Sequence, residues 1–289
     1  MYKSLADICA ENEQTGFSFW EIIQQEDCLE ENMTTAQSFA KMQLIYQAMK
    51  EADQKYDPTL KSASGLVGTE GEKIRKRRMN GELVSGDLIG LVMEKALKIT
   101  ESNACMKRIV AAPTAGSCGV VPAVLLSIQE KKEYTDEQMT KALYVAGGIG
   151  GVIASRASLS GAEGGCQAEI GSASAMAAGA ITYLLGGNAQ CMVQACALAL
   201  KGLLGLACDP VAGLVEVPCV KRNVIGAVNA ITSADMALAG ICSKIPPDEV
   251  IDAMRSIGRN MSTDIRETGK GGLAGTPTGI RIRDQIAMQ

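Results

Sequence analysis

Residues 170–200 read IGSASAMAAGAITYLLGGNAQCMVQACALAL, a stretch without a single formal charge. Two physical environments accept such a run: a lipid bilayer or the interior of a helical protein. Ser172, Ser174, Thr182, Asn188, Gln190 and Gln194 interrupt it, and Gly186-Gly187-Asn188 is a helix stop in its middle. The two halves, about 16 and 12 residues, fall short of the roughly 20 that span a bilayer. Alanine and glycine instead suit helices packed closely in a soluble core. The run therefore predicts two adjoining buried helices and no membrane insertion.

Helix signals dominate outside this stretch. Ser18-Phe19-Trp20-Glu21 and Thr34-Thr35-Ala36-Gln37 have the pattern of capping boxes. After the second, Phe39, Met42, Ile45, Tyr46 and Met49 recur at helical spacing until Asp57-Pro58 stops the run. Thr135-Asp136-Glu137-Gln138 opens a helix towards Gly147. Pro246-Pro247-Asp248-Glu249 opens another, with Val250, Met254, Ile257 and Met261 on one face. Strand-type alternation is nearly missing, and Leu214 to Val217 is the best short candidate. The expected fold is mainly α: one compact helical domain over residues 1–289, with an N-terminal helical hairpin (1–58) and a core (59–289) of helices joined by glycine-rich loops. Those loops are 62–71 (SASGLVGTEG), 113–119 (PTAGSCG), 147–151 (GGIGG), 160–165 (SGAEGG), 209–213 (DPVAG) and 269–279 (GKGGLAGTPTG).

The chain has 289 residues, 47% of them apolar, which is enough to bury a sizeable core. A formal net charge of −4 argues against nucleic acid as a partner. The basic run Lys73 to Arg78 is then a solvated helix face rather than a phosphate patch. No apolar region follows a basic start at the N-terminus, so no secretory signal is visible, and ten cysteines point to reduced thiols or metal ligands in the cytoplasm. Histidine is absent. Proton transfer near neutral pH must use Lys, Asp, Glu, Tyr or Cys, or a group from another chain.

Three cysteines stand apart from the rest. Cys166, Cys208 and Cys219 lie in turns of small or rigid residues: Gly-Gly-Cys-Gln, Ala-Cys-Asp-Pro and Val-Pro-Cys-Val. Glycine and proline beside a thiol suit backbone that must approach something closely and hold its shape. Their wide spacing does not match the close pairs of zinc sites, and on spacing alone buried structural thiols stand as the other reading. Three thiolates would leave one corner of a four-iron cluster without a protein ligand.

The segments SGAEGGCQAEIG (160–171), GLACDPVAGLVEVPCVKRN (205–223) and APTAGSCGVVPA (112–123) resemble the α chain of iron–sulfur-dependent L-serine dehydratase. The resemblance runs from SGLVG at 64–68 to GTPTG at 275–279, most of the chain. It implies a 4Fe–4S cluster on Cys166, Cys208 and Cys219, with Cys118 outside the ligand set. It implies β-elimination of water from L-serine, giving pyruvate and ammonia, with the open iron as Lewis acid on the substrate hydroxyl. It also implies a separate β chain, since a histidine-bearing element of that chain cannot be present here. Some related single-chain enzymes carry a C-terminal cysteine; this sequence reads Ala287-Met288-Gln289, so that occlusion is not expected.

Binding L-serine requires fixed partners for its carboxylate. Hydroxyls and backbone N–H groups of Ser64, Gly65 and the loop up to Thr69, and of Thr114, Ala115 and Gly116, are the candidates. Asn223 is positioned in sequence to orient substrate or a ligand, and Glu169 to support the ligands from behind. Lys61 is the candidate base if desolvated, with a β-chain histidine as the alternative. Three other functions compete: an iron–sulfur lyase releasing sulfide from L-cysteine, a pyridoxal-phosphate lyase using Lys61, and a non-enzymatic iron–sulfur sensor.

Overall fold

The computed structural model describes residues 2–288. The helices are α1 (Leu5–Thr15), α2 (Phe19–Glu30), α3 (Thr35–Gln54), α4 (Glu70–Met79), α5 (Gly86–Ala104), α6 (Val120–Lys132), α7 (Asp136–Arg156), the short α8 (Gly161–Gly164), α9 (Ser172–Leu184), α10 (Ala189–Leu203), α11 (Cys219–Leu238), α12 (Pro247–Asn260) and α13 (Pro277–Ala287). No β-strand occurs among the described residues; a single isolated bridge joins Cys208 and Arg266.

The uncharged stretch becomes α9 and α10. Helix α9 is buried continuously from Ser172 to Thr182 and is surrounded by α6, α7, α10 and α11. A helix enclosed on all sides has no face for charge, which accounts for the sequence pattern. Small residues set the helix spacing. A Cβ on Gly179 would come within 2.1 Å of Ile149 Cδ1, and one on Gly226 within 2.7 Å of Ile170 Cγ2. The hydroxyl of Ser174 donates to Gly226 O at 2.8 Å and accepts from Asn229 Nδ2 at 2.9 Å, so its burial leaves no unmet hydrogen bond. Among the described residues, no helix is long and apolar enough to cross a membrane.

Both expected capping boxes form, at Ser18 and Thr34, and the helix expected at Thr135 also opens with one. Residues 1–58, expected as a hairpin, hold three helices, because Gly16 adopts φ 75° and closes α1 before Ser18 opens α2. These helices share the main core: Leu5, Ile8, Phe19, Ile22, Tyr46 and Met49 pack in the same cluster as α6, α7 and α9. The GGIGG sequence at 147–151 is not a loop but lies within α7. A Cβ on Gly148 would meet Ile23 Cγ1 at 2.5 Å, and one on Gly150 would meet Met176 at 3.0 Å, so these glycines admit α2 and α9. Leu214 to Val217 is likewise not a strand. It closes a turn on itself through Val211 N–H donating to Val217 O at 2.8 Å. The basic run lies on α4, where Lys73, Arg75, Lys76 and Arg77 are exposed and Arg78 turns inward to Glu94 at 2.9 Å.

Candidate active site

Cys166, Cys208 and Cys219 come from three segments and are 2%, 3% and 7% exposed. Cys166 follows Gly165 (φ 75°) and precedes a π-helical turn, Gln167–Gly171, that leads into α9. Cys208 lies between α10 and the 3-10 turn Val211–Gly213; its N–H donates to Ile265 O at 2.8 Å, and its carbonyl accepts from Glu267 N at 2.7 Å. Cys219 is the first residue of α11. Gln167, fully buried, fastens the first two segments together: its Nε2 donates to Gly164 O and Met254 O at 2.8 and 3.0 Å, and its Oε1 accepts from Gly205 N at 2.9 Å.

The three thiols act on one another. Burial pushes Cys166 up to about 12; Arg222 opposes this, while Cys219 and Glu169 add to it. Burial, then Cys166, Glu169 and Cys219, raise Cys208. Burial and Glu169 push Cys219 up to about 12, again against Arg222. Cys118 is also pushed up to about 12, by burial alone, with no contribution from the other three. Arg222 is the cation of the group. Its Nη1 donates to Ala207 O at 2.7 Å and sits 2.8 Å from Asp209 Oδ1, while Asp209 Oδ2 accepts the Leu273 N–H at 2.8 Å.

The 113–119 loop joins this cluster directly. Thr114 Oγ1 donates to Glu169 Oε1 at 2.7 Å, and Glu169 Oε2 lies 4.0 Å from Cys208 Sγ. A Cβ on Gly116 would come within 2.8 Å of Glu169 Oε1. One on Gly161 would come within 2.8 Å of Glu169 Oε2 and 2.9 Å of Cys208 Sγ. Glycine at both positions is what lets the loops close over the carboxylate. Burial raises the Glu169 carboxyl, opposed by Thr114. Asn223 is fully buried, with its amide directed to backbone: Gly116 O at 2.7 Å, Cys219 O at 2.9 Å and Gly119 N at 2.9 Å. Among the described residues, the N–H groups of Ala115 and Gly116 have no acceptor.

The 62–69 loop is held by carboxylates at both ends. Ser62 and Ser64 hydroxyls donate to Glu216, while Glu101 accepts Glu70 N–H at 2.8 Å and Gly71 N–H at 3.3 Å. Gly65 N–H is used within the loop, by Ser62 O at 2.9 Å. Thr69 adopts φ 69°, and Gly68 and Thr69 N–H groups have no acceptor among the described residues. Lys61 is exposed, not the desolvated amine that a base would need to be.

The family profile described as "Serine dehydratase alpha chain" matches residues 14–274. The chain belongs to that family. Among relatives, it is 52% identical over 248 residues to the "Probable L-serine dehydratase, alpha chain" of Bacillus subtilis, covering 86% of this chain and 83% of the relative. It is 38% identical over 282 residues to the "L-serine dehydratase, alpha chain" of Peptoniphilus asaccharolyticus, covering 97% and 96%. Against "L-serine dehydratase 1" of Escherichia coli it is 36% identical over 279 residues, covering 94% of this chain but 61% of the longer relative.

Within this serine dehydratase alpha chain, the candidate residues thus divide into two loops. Thr114, Ala115, Gly116, Glu169, Asn223 and the three cysteines form one constellation, and Ser64, Gly65 and Thr69 belong to the loop tied to Glu216. Sequence reasoning passed over Gln167, Asp209, Glu216 and Arg222, although each sits in the quoted motifs. For Gln167 and Asp209 the signal available was a polar residue directly after a turn cysteine; Glu216 and Arg222, each three residues from Cys219, had none as direct. Among the described residues, no three or more Cys, Asp or Glu side chains are arranged to hold a single metal ion.

Proposed function

We propose that this chain is the cluster-bearing α subunit of a cytoplasmic, iron–sulfur-dependent L-serine dehydratase that works with a separate β chain. The observation that carries the reading is the buried, mutually coupled group of Cys166, Cys208 and Cys219, drawn from three segments of a chain in this family. Thiolates are the usual protein ligands of iron–sulfur clusters. A cubane binds each cysteine through a different iron, so its ligands stand apart, unlike those of one ion. The donor type, the burial and the nearby Arg222 cation fit such a group. When bound, it supplies an iron without a protein ligand, a Lewis acid for the hydroxyl of the substrate.

The chain's own residues supply the rest. The reaction removes the Cα proton and the β-hydroxyl of L-serine as water; the enamine becomes an imine, and a second water releases ammonia and pyruvate, without net oxidation. The free N–H groups of Ala115 and Gly116, and those of Gly68 and Thr69, are donors for the substrate carboxylate. Asn223 fixes the first loop to the start of α11, and the Glu169 carboxylate fits closely against Gly116 and Gly161 beside Cys208. With Lys61 in solvent, the β-chain histidine is the better of the two candidate proton acceptors. The separate β chain is supported by the names of relatives that this chain covers most fully, each called an alpha chain.

The test is anaerobic reconstitution of this chain with and without its β chain, with iron, acid-labile sulfide and pyruvate measured on the same samples. Iron and sulfide near four each per chain, and pyruvate only with both chains present, is the expected result. Full turnover of L-serine by an iron-free complex ends the proposal, and turnover of L-cysteine in preference to L-serine reassigns the substrate.

A further inference from the structure

Glu216 is 7% exposed, and among the described residues no lysine or arginine pairs with it. Burying an ionised carboxylate without a cation is costly unless strong donors meet it. The donors here are hydroxyls from a segment remote in sequence: Ser62 Oγ at 2.8 Å and Ser64 Oγ, both on Oε2. The same hydroxyls accept from the loop's own backbone, Ser62 from Val67 N at 3.4 Å and Ser64 from Leu66 N at 3.1 Å. Each serine thus relays a hydrogen bond from the loop backbone to Glu216. At its other end, Glu216 O accepts Val220 N at 3.0 Å, placing it in the first turn leading into α11 and Cys219.

Two further features show what this arrangement fixes. Beyond the serines the loop passes through Gly68, where a Cβ would meet Leu60 O at 2.4 Å, and Thr69 at φ 69°, before Glu101 takes over at Glu70 and Gly71. A non-glycine residue in the left-handed region is held there only if its surroundings insist. The two amides left free, Gly68 and Thr69, lie between the two carboxylate anchors.

We propose that Glu216 is a positioning residue that holds the 62–69 loop against the segment carrying Cys219, setting the place of the Gly68 and Thr69 amides in the substrate site. This rests on the dehydratase reading for its effect on turnover, but the clamp itself is measurable without it. In the assembled, anaerobically reconstituted enzyme, Glu216→Ala should raise KM for L-serine at least about tenfold, the equivalent of one charge-assisted hydrogen bond, with a smaller change in kcat and unchanged iron. Glu216→Gln keeps an acceptor oxygen and should fall between wild type and Glu216→Ala. The Ser62→Ala/Ser64→Ala double variant should match Glu216→Ala, and adding that change to it should produce little more. Amide hydrogen exchange at residues 62–67 should quicken in Glu216→Ala whatever the enzyme turns over. A KM within twofold of wild type, additive effects of the serine and glutamate changes, loss of iron in Glu216→Gln, or unchanged exchange overturns the proposal. If wild type makes no pyruvate, the functional reading fails and exchange alone decides the clamp.

Discussion

Asn223 donates its side-chain amide to Gly116 O at 2.7 Å and so ties the 113–119 loop to the helix that begins at Cys219. The same side chain donates to Cys219 O and accepts the Gly119 N–H, each at 2.9 Å, and no part of it reaches solvent. Asn223→Ala takes the side-chain partner from one buried donor, Gly119 N–H, and from two carbonyls, Gly116 O and Cys219 O, at about 1–3 kcal/mol for each group left unpaired. The variant should unfold several degrees lower and load less iron per chain than wild type. Asn223→Asp, which still accepts from Gly119, should lie between. Thermal unfolding with iron assay checks this, and wild-type iron loading in Asn223→Ala would remove the connection drawn between loop and thiols.

The four buried cysteines of the glycine- and proline-rich turns separate by their surroundings. Cys166, Cys208 and Cys219 influence one another, whereas Cys118, fully buried, is influenced by none of the three. Alanine at any of the first three should abolish cluster and turnover. Cys118→Ala removes one buried sulfur, at about 1 kcal/mol, and should keep both. Iron and sulfide analysis of the four variants tests the division; iron loss in Cys118→Ala is the adverse result.

The helical class was legible because its signals are local. Capping boxes at Ser18, Thr34 and Thr135 use residues three apart, and the absence of charge from Ile170 to Leu200 anticipates the enclosure of α9. The turn cysteines were legible for the same reason. Glu216 was not, because its partners Ser62 and Ser64 are distant in sequence and nothing in Leu-Val-Glu-Val-Pro announces a serine acceptor. Gly147–Gly151 is no loop, yet the close helix packing that its lack of a preceding strand suggests is what its glycines serve. Glycine usually signals a break, but here it makes room for Ile23 and Met176 inside a helix secured by its neighbours. The two anchors of the 62–69 loop, Glu101 and Glu216, illustrate the general limit: tertiary hydrogen bonds leave no periodic trace.

Asp53 couples α3 to α5 through Lys95 and Lys98, each at 2.8 Å. Burial pushes its carboxyl up, but the two lysines outweigh burial and hold it below the ordinary aspartate range. A carboxyl depressed on folding contributes stability that is fully present above its unfolded pKa, about 4, and is lost as pH falls through the lower folded value. Asp53→Asn should cost about 1.5–3 kcal/mol at neutral pH, since it takes the anion from half-buried Lys98 and leaves Lys95 only Glu130, at 3.2 Å. The gap between wild type and variant should stay constant above about pH 4 and narrow only below it, as pH falls towards the depressed folded value of Asp53. Urea unfolding across that range reads the gap, and a constant difference would show that the pair does not set the acid sensitivity.

Gly258 on α12 lies against the backbone of Gly164, just before Gly165 and Cys166: a Cβ there would stand 2.8 Å from Gly164 Cα and 3.2 Å from its carbonyl oxygen. Unlike the end of a side chain, backbone has no rotamer by which to move aside. Gly258→Ala must therefore push α12 away from α8, straining the Gln167 bond to Met254 O that connects them. About 1–3 kcal/mol of destabilisation is expected, from overpacking. Cys166 shares the displaced segment, so iron loading should fall as well. Gly147→Ala provides the control. Gly147 is exposed within α7, with nothing within 4 Å of its Cβ position, and alanine there should hold or raise stability by about 0.5–1 kcal/mol. Melting temperature and iron per chain, measured side by side for both variants, decide the matter. If Gly258→Ala melts as high as Gly147→Ala and loads iron as wild type does, α12 is not what holds the Cys166 segment in place.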